Sequence, residues 1–195
     1  MGNGQECEYR KPANKVPGCH PPFSLPITTL KCHYCIVMTF DFNKLLSTLD
    51  IQDIASKYLG IEVWVYSRDD MPDILDKGFY VINLDGKAGP GTHWVSFIKA
   101  NEDDVIYFDS FGFPPSTEQL DAFLHNHDRC YHNKRQIQDI DSILCGYYCL
   151  AFFHHFLSNY KKVEHPKYLL QSFAQLFTDN TKKNDAVLKK YIKNI

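Results

Sequence analysis

Three segments of the chain end in side chains that can do chemistry together. The glycine-rich turn Gly91-Thr92-His93-Trp94 delivers a histidine at the start of a strand, and the apolar run Tyr107-Phe108-Asp109 ends in a carboxylate. A cysteine, Cys145, opens a long apolar stretch that is typical of a buried helix. Thiolate, imidazole and carboxylate are the groups of a nucleophilic catalytic triad. We therefore predict that His93, Asp109 and Cys145 form such a triad.

Each residue of the predicted triad has a definite role. A free thiol, with a pKa of about 8.5, is mostly protonated at neutral pH, and both a helix N-terminus and a neighbouring imidazolium favour the reactive thiolate. His93 would take the proton of Cys145 and return it to a leaving amine. Asp109 would accept the second ring N–H and so fix the tautomer. Pairing of the two strands in a hairpin would bring residues 93 and 109 to about 5 Å apart in the sheet direction.

A fourth candidate, Gln138, lies seven positions before the cysteine. Its side-chain amide can donate to a developing oxyanion together with the backbone N–H of Cys145, and one such donor contributes roughly 3–4 kcal/mol of transition-state stabilisation. Gln136 is a competitor for this role. Gly146, directly after the cysteine, is expected to allow close backbone approach and to leave room beside the sulfur for a substrate carbonyl.

Taken singly, each of these residues has a commoner structural explanation. A histidine before a tryptophan is more often structural, an aspartate at a strand end is usually a turn former, and a cysteine in an apolar helix is usually a small core residue. Cys149, one turn beyond Cys145, is predicted to be such a packing residue. The joint order of the segments favours catalysis over a catalytically inactive binding protein, because the nucleophile, the base, the acid and the oxyanion donor each have a candidate residue.

The distribution of predicted elements indicates an α+β fold, with strands grouped in the middle and helices mostly after them. Strands are predicted at residues 61–66, 79–84, 94–99 and 105–109, with an edge strand at 134–138. A polar turn at 101–104 predicts a hairpin. A first helix is predicted from an N-cap at Thr48 to a stop at Gly60, and further helices at 117–125, 144–159, 165–178 and 184–193.

The bulk composition is that of one globular unit. The chain has 195 residues, of which 44% are hydrophobic, and a formal net charge of −2, so no basic surplus points to nucleic acid as the main ligand. Residues 1–7 lack the pattern of a secretory signal, and the longest apolar stretch, 143–157, is shorter than the roughly 20 residues of a membrane span. An odd number of cysteines, seven, agrees with reduced thiols. We expect an intracellular protein that is neither secreted nor bound to a membrane.

Residues 1–40 differ from the rest of the chain, and we expect an irregular arm before a domain at residues 41–195. This arm contains five of the ten prolines and four of the seven cysteines. The pair in Cys32-His33-Tyr34-Cys35 has the spacing of a zinc ligand pair, with Cys7, Cys19 and His20 as further candidate ligands. A zinc-binding or interaction module is therefore an alternative to an arm with unpaired thiols, and a zinc content well below one per chain would exclude it.

These segments resemble the adenovirus-type (adenain) protease family and, more distantly, the deSUMOylating proteases of the same clan. The closest likeness is to proteases of Maverick/Polinton-type elements and related DNA viruses. The order His, acid, Gln, Cys is specific, because papain-like enzymes place the cysteine first. The resemblance covers about three quarters of the chain and rests on Leu-Ser-Thr-Leu-Asp-Ile (46–51), Val-Ile-Asn-Leu-Asp (81–85), Gly-Thr-His-Trp-Val (91–95), Tyr-Phe-Asp-Ser-Phe-Gly (107–112), Gln138, Cys-Gly-Tyr-Tyr-Cys (145–149) and Asn-Asp-Ala-Val (184–187).

The resemblance implies a fold, a site and an activity. The fold would be a mixed central sheet packed against the helix that begins at Cys145, with His93 as base, Asp109 as acid and Gln138 as oxyanion donor. Adenain has Glu at the acid position, but Asp is common elsewhere in the clan. Trp94 resembles the ring that borders a narrow channel for glycine-type residues beside the scissile bond. The implied activity is an endopeptidase that needs no cofactor and cleaves viral or transposon structural precursors at Gly-containing sites, in the host nucleus or cytoplasm or in virions; a deSUMOylase-like isopeptidase is the alternative.

Adenain is stimulated by DNA and by a peptide that can form a disulfide with an enzyme cysteine. The run Asp128-Arg129-Cys130 looks like the sequence around that cysteine, so Cys130 is the candidate tether for an activating peptide. If Cys130 forms no such disulfide, mass analysis of the chain without reductant will show no adduct with a cofactor peptide. DNA binding is not favoured, because the basic residues are scattered along the chain at Arg129, Lys134, Arg135, Lys182, Lys183, Lys189 and Lys190.

Overall fold

The structure, a computed structural model, describes residues 40–73 and 75–195. Residues 1–39 of the predicted N-terminal arm, with the zinc candidates Cys7, Cys19, His20, Cys32 and Cys35, lie outside the described residues, whereas Phe40 packs against the core. Five strands form one sheet in the order β1-β2-β3-β4-β5, in which β1/β2 and β4/β5 are parallel and the two inner pairs are antiparallel. The strands are β1 (Val63–Ser67), β2 (Gly78–Asn83), β3 (Trp94–Lys99), β4 (Asp104–Phe108) and β5 (Arg129–His132).

Five α-helices accompany the sheet within the described part of the chain. They are α1 (Thr48–Ile54), α2 (Glu118–His125), α3 (Cys145–Asn159), α4 (Lys167–Ala174) and α5 (Thr181–Ile192). The first helix continues as a π-helical turn, Ala55–Leu59, and α3 continues as a 3₁₀ turn, Tyr160–Lys162. The predicted α+β class is confirmed, and the sheet is mixed.

The sheet is buried on both faces, which explains why its central strands are continuous apolar runs rather than alternating ones. Helix α3 packs on one face, where Phe108 stacks on Phe152 with ring centroids 4.8 Å apart. Helix α2 covers the other face, where Phe97 contacts Phe123 at 5.2 Å. Because α3 is itself almost entirely buried, its position along the sheet is fixed by aromatic packing on all sides.

The first helix begins one residue earlier than predicted. Ser47, not Thr48, is the N-cap: its hydroxyl accepts the N–H of Asp50, and the Asp50 carboxylate accepts the N–H of Ser47 in return. This is a capping box with an aspartate in the N3 position. The stop at Gly60 is as predicted, with φ of 64° at the residue that ends the π-helical turn.

The predicted edge strand at 134–138 is wrong. The edge strand is β5, which runs parallel to β4 from Asp104↔Arg129 to Tyr107↔His132. Residues 134–138 instead form a loop, because the N–H groups of Ile137 and Gln138 both donate to the carbonyl of Ser110, which lies in the turn after β4. The apolar residues of β5 are buried by the neighbouring helices, a tertiary effect that its four-residue sequence does not signal.

No helix within the described residues is long and apolar enough to cross a membrane.

Two glycines with positive φ allow a matched test of local packing. Gly112 (φ 74°) has backbone atoms of Lys134 and Arg135 2.8 Å from the position of an added Cβ, whereas Gly60 (φ 64°) has nothing within 4 Å. We expect Gly60→Ala to lower the free energy of unfolding by about 1–2 kcal/mol through backbone strain alone. Gly112→Ala should cost about 1–3 kcal/mol more, because the methyl group also overpacks the loop. Urea unfolding measures both, and equal losses would contradict the close packing at Gly112.

Candidate active site

His93 is delivered by a loop between β2 and β3 that is fastened by polar side chains. The Asn83 Oδ1 accepts the N–H groups of Asp85 (2.9 Å) and Thr92 (3.2 Å), and the Asp85 Oδ2 accepts the N–H of Gly91 (3.2 Å). Gly91 has a φ of 82°, and an added Cβ there would lie 2.9 Å from the Asn83 amide nitrogen. Because these hydrogen bonds join the two ends of the loop, they hold His93 in place directly before β3.

The β3/β4 hairpin brings His93 and Asp109 together. The His93 Nε2 lies 2.8 Å from the Asp109 Oδ1, and the two side chains are 12% and 1% exposed. The same carboxylate oxygen accepts the N–H of Phe111 at 2.8 Å, and the Phe111 ring stacks on the imidazole with centroids 4.5 Å apart. A carboxylate acceptor on Nε2 leaves Nδ1 as the ring nitrogen available to a third group.

Asn133 is a residue of the site that the sequence reasoning missed. Its side-chain Oδ1 accepts the N–H of Asp109 at 3.0 Å, and its Nδ2 donates to the Asp109 carbonyl at 2.6 Å. This buried amide therefore clamps the backbone of the acid on both sides, directly after β5. Its partner lies 24 residues earlier in the chain, so no local pattern signals the contact.

Cys145 is the first residue of α3 and is 3% exposed. The residue before it, Leu144, provides no side-chain cap. The positive end of the helix and its first N–H groups therefore act on the sulfur and on any oxygen bound beside it.

Three features of its surroundings set the pKa of His93, namely burial, Asp109 and Cys145. Burial of the ring acts to lower the pKa of His93, but hydrogen bonds with Asp109 and with Cys145, together with their negative charges, outweigh it and raise the pKa to about 9. The imidazole is therefore held in its charged form at neutral pH, between a buried carboxylate and a thiol at a helix N-terminus. A positively charged imidazole next to a cysteine at a helix N-terminus is a pairing that nucleophilic catalysis by cysteine uses.

Gln138 lies buried, 1% exposed, in the loop before α3. Its Nε2 donates to the Ser142 carbonyl at 2.7 Å and its Oε1 accepts the Ser110 hydroxyl at 2.5 Å. A carbonyl can only accept, so these partners fix which way the amide faces. The second amide hydrogen has no acceptor among the described residues. Gln136, the competitor, is exposed and donates its own amide to the Gln138 carbonyl.

An open cleft of about 370 Å³ leads to the sulfur. Its lining includes residues 45–48, residues 86–87 and 89–92 of the loop before β3, and His93, Trp94 and Cys145. The Trp94 indole N–H donates to the Leu46 carbonyl at 2.9 Å, so the ring is fixed in the cleft wall.

Gly146 allows close packing at the start of α3. An added Cβ would lie 3.2 Å from a methyl group of Leu46 and 3.4 Å from the Trp94 ring. Its small size therefore lets Leu46 and Trp94 pack against the start of α3, and its predicted role beside a substrate carbonyl stays a prediction. Gly146 shapes the cleft wall from behind.

The other two described cysteines are buried packing residues. Cys149 contributes its thiol to the core, 3.5 Å from the Trp94 carbonyl, and burial raises its pKa well above the ordinary value. Cys130 is 0% exposed in β5, and burial, with a small contribution from Asp121, raises its pKa to about 12. The candidate peptide tether is therefore protonated and inaccessible in this conformation.

Neither a protein-family model nor a curated protein sequence matches this chain.

The charge state of His93 can be measured directly. In an NMR titration we expect the His93 ring to change protonation near pH 9 and to remain charged at lower pH. Asp109→Asn keeps the size of the acid but removes its charge, so the midpoint should fall by about 1–3 units. Asp141→Asn, at an exposed position, is the matched control and should leave the midpoint unchanged. An unshifted midpoint in Asp109→Asn would contradict the assignment of Asp109 as the partner.

Proposed function

We propose that this chain is a cysteine protease in which Cys145 is the nucleophile, His93 the acid–base and Asp109 the residue that orients the imidazole. The observation that carries the proposal is the meeting of three separate segments at one point. The His93 ring is hydrogen-bonded to a buried carboxylate 2.8 Å away and interacts with the one thiol that lines the cleft among the described residues.

The geometry supports a two-step acyl transfer. The Cys145 thiolate attacks the substrate carbonyl carbon, forming a C–S bond while the carbonyl electron pair moves to oxygen. The tetrahedral intermediate collapses, the C–N bond breaks, and the His93 imidazolium gives its proton to the leaving amine. Neutral His93 then takes a proton from water, whose oxygen attacks the thioester. Release of the carboxylic acid restores the thiolate and the imidazolium.

We assign two N–H donors to the oxyanion. One is the backbone N–H of Cys145 at the uncapped start of α3. The other is the second amide hydrogen of Gln138, whose first hydrogen is committed to the Ser142 carbonyl. Because Gln138 is buried and bonded at both ends of its amide, it needs no reorganisation when negative charge develops.

A polypeptide substrate agrees with the surface around the site. Exposed apolar side chains occur in the chain segments that lead to the cleft and to the reactive residues; these are Leu45, Leu49, Phe113, Ile140 and Ile143. Leu45 lines the cleft itself, where an apolar side chain can contact a bound polypeptide. The wall formed by Leu46 and Trp94 beside Cys145 favours a small residue next to the scissile bond.

We infer further that the fold and activity are of the adenain type. The supporting features are a mixed sheet packed on a helix that begins with the cysteine, and the chain order His, acid, Gln, Cys. On this proposal the enzyme needs no cofactor and processes structural precursor polypeptides at Gly-containing sites. A disulfide-linked activator at Cys130 is not part of the proposal, because that thiol is buried.

The nucleophile is tested by alkylation. We expect iodoacetamide to label Cys145 faster than any other of the seven cysteines, because the neighbouring imidazolium and the helix N-terminus favour its thiolate. The fast labelling should be absent from Cys145→Ala. In His93→Ala the labelling of Cys145 should slow sharply, whereas in the control Cys130→Ala it should keep the wild-type rate. Mass analysis of the labelled peptides measures the rates. Equal labelling of all seven thiols would contradict the proposal.

The role of Gln138 is tested with a minimal acyl donor, the 4-nitrophenyl ester of N-acetylglycine. Gln138→Ala should reduce kcat for this ester by about 10²–10³-fold, since one oxyanion donor is lost. Alkylation of Cys145 forms no oxyanion, so its rate should change little. Gln136→Ala is the matched control and should retain full activity. If Gln136→Ala is the damaging substitution, the two glutamines are wrongly assigned.

The substrate class is decided by comparing Gly-containing peptides with ubiquitin-like fusion proteins. Cleavage of the peptides supports the processing endopeptidase, whereas cleavage of the fusions alone would assign the isopeptidase activity instead.

A further inference from the structure

We propose that Asp185, at the start of α5, is a positioning residue that sets the oxyanion donors relative to the nucleophile. This inference rests on the proposed function. It concerns the segment 137–144, here called the oxyanion loop, which contains Gln138 and ends immediately before Cys145.

The oxyanion loop is without regular secondary structure over most of its length, so its backbone is not held by a helix or strand ladder. Within the loop, the Ser142 N–H donates to the Asp139 carbonyl at 3.0 Å and the Leu144 N–H donates to the Ser142 hydroxyl at 3.3 Å. The Ser142 carbonyl is also the acceptor that holds the Gln138 amide. The position of Ser142 therefore sets the position of the oxyanion donor.

A single carboxylate oxygen of Asp185 accepts hydrogen bonds from both the oxyanion loop and α3. Its Oδ1 accepts the Ser142 hydroxyl at 2.9 Å and the Tyr148 hydroxyl at 3.2 Å. Tyr148 lies in the first turn of α3, three residues after Cys145. One atom thus connects the residue that orients Gln138 with the helix turn that carries the sulfur and its N–H.

The rest of the α5 N-terminus anchors Asp185 against the same loop. Asn184 is fully buried; its Nδ2 donates to the carbonyls of Ile137 and Thr178, both at 2.9 Å, and its Oδ1 accepts the N–H and hydroxyl of Thr178. The Thr181 hydroxyl donates to the Asp139 carboxylate at 2.9 Å. With the helix fastened at these points, the Asp185 carboxylate is a fixed reference for the loop.

Both hydroxyls remain donors at any working pH. Burial, reinforced by the negative charge of Asp185, raises the pKa of Tyr148 well above its ordinary value. An Asn in place of Asp185 could still accept both hydroxyls through its amide oxygen, whereas an Ala could accept neither. This difference separates a positioning role from a role of charge.

The test combines Asp185→Ala, Asp185→Asn and the control Lys183→Ala, an exposed position on the same helix, assayed with the 4-nitrophenyl ester of N-acetylglycine. We expect Asp185→Ala to lower kcat by about 10- to 100-fold with KM little changed, because misplaced donors weaken oxyanion binding in the transition state. Asp185→Asn should recover activity to within a few-fold of wild type, and Lys183→Ala should be unaffected. Iodoacetamide labelling of Cys145 and the His93 midpoint should stay at wild-type values in all three.

A double-mutant cycle sharpens the assignment. If Asp185 acts through Gln138, Asp185→Ala should have little further effect on kcat in a Gln138→Ala background. Ser142→Ala removes one of the two hydroxyls that bind Asp185 and should reproduce part of the loss of kcat. If Asp185→Ala does not fold, the kcat of Ser142→Ala tests the positioning role in its place.

Three results would overturn the positioning role: full activity in both Asp185→Ala and Ser142→Ala, an Asn variant as poor as the Ala variant, or additive losses in the cycle. Failure of the proposed function is distinguishable, because the wild-type chain itself would then neither label selectively at Cys145 nor hydrolyse the ester.

Discussion

The hydrogen bond between His93 and the buried Asp109 is the interaction on which the rest of the site depends. A carboxylate that is 1% exposed is costly unless it is paired and hydrogen-bonded. Here it accepts from the imidazole and from the Phe111 N–H, and the imidazole in turn keeps its proton to about pH 9. Asp109 and His93 stabilise each other, and the charged ring lines the same cleft as the thiol of Cys145.

Aromatic packing between the sheet and α3 sets the distance of Cys145 from His93 and Asp109 in the proposed triad. His93 and Asp109 belong to one hairpin, but Cys145 reaches them only because α3 lies against the same face of the sheet. The stacked pair Phe108–Phe152 and its neighbours leave α3 little freedom to slide. Because the interior is close-packed, α3 cannot shift without displacing its neighbours. The position of the Cys145 sulfur is therefore fixed by the packing of the core.

Polar side chains fasten each loop that the sheet and helix leave free. Asn83 closes the loop before His93, Asn133 clamps the backbone of Asp109, and Asn184 with Asp185 secures the oxyanion loop. Asn and Asp suit this task because their short side chains hydrogen-bond to backbone groups in irregular segments. Each segment that carries a proposed catalytic group is therefore supported by an amide or carboxylate from elsewhere in the chain.

The sequence by itself predicted four of the five strands, the five α-helices and the proposed reactive residues, because a glycine turn before His93, an apolar strand ending at Asp109 and a helix opening at Cys145 are short-range patterns. Only the tertiary structure decided the position of β5, the burial of Cys130, the packing role of Gly146 and the contacts of Asn133 and Asp185. The bonds from Asn133 to Asp109 and from Ser142 to Asp185 join residues 24 and 43 positions apart. A side chain that acts across such separations leaves no local periodicity, since its partner is chosen by how the helices and the sheet pack.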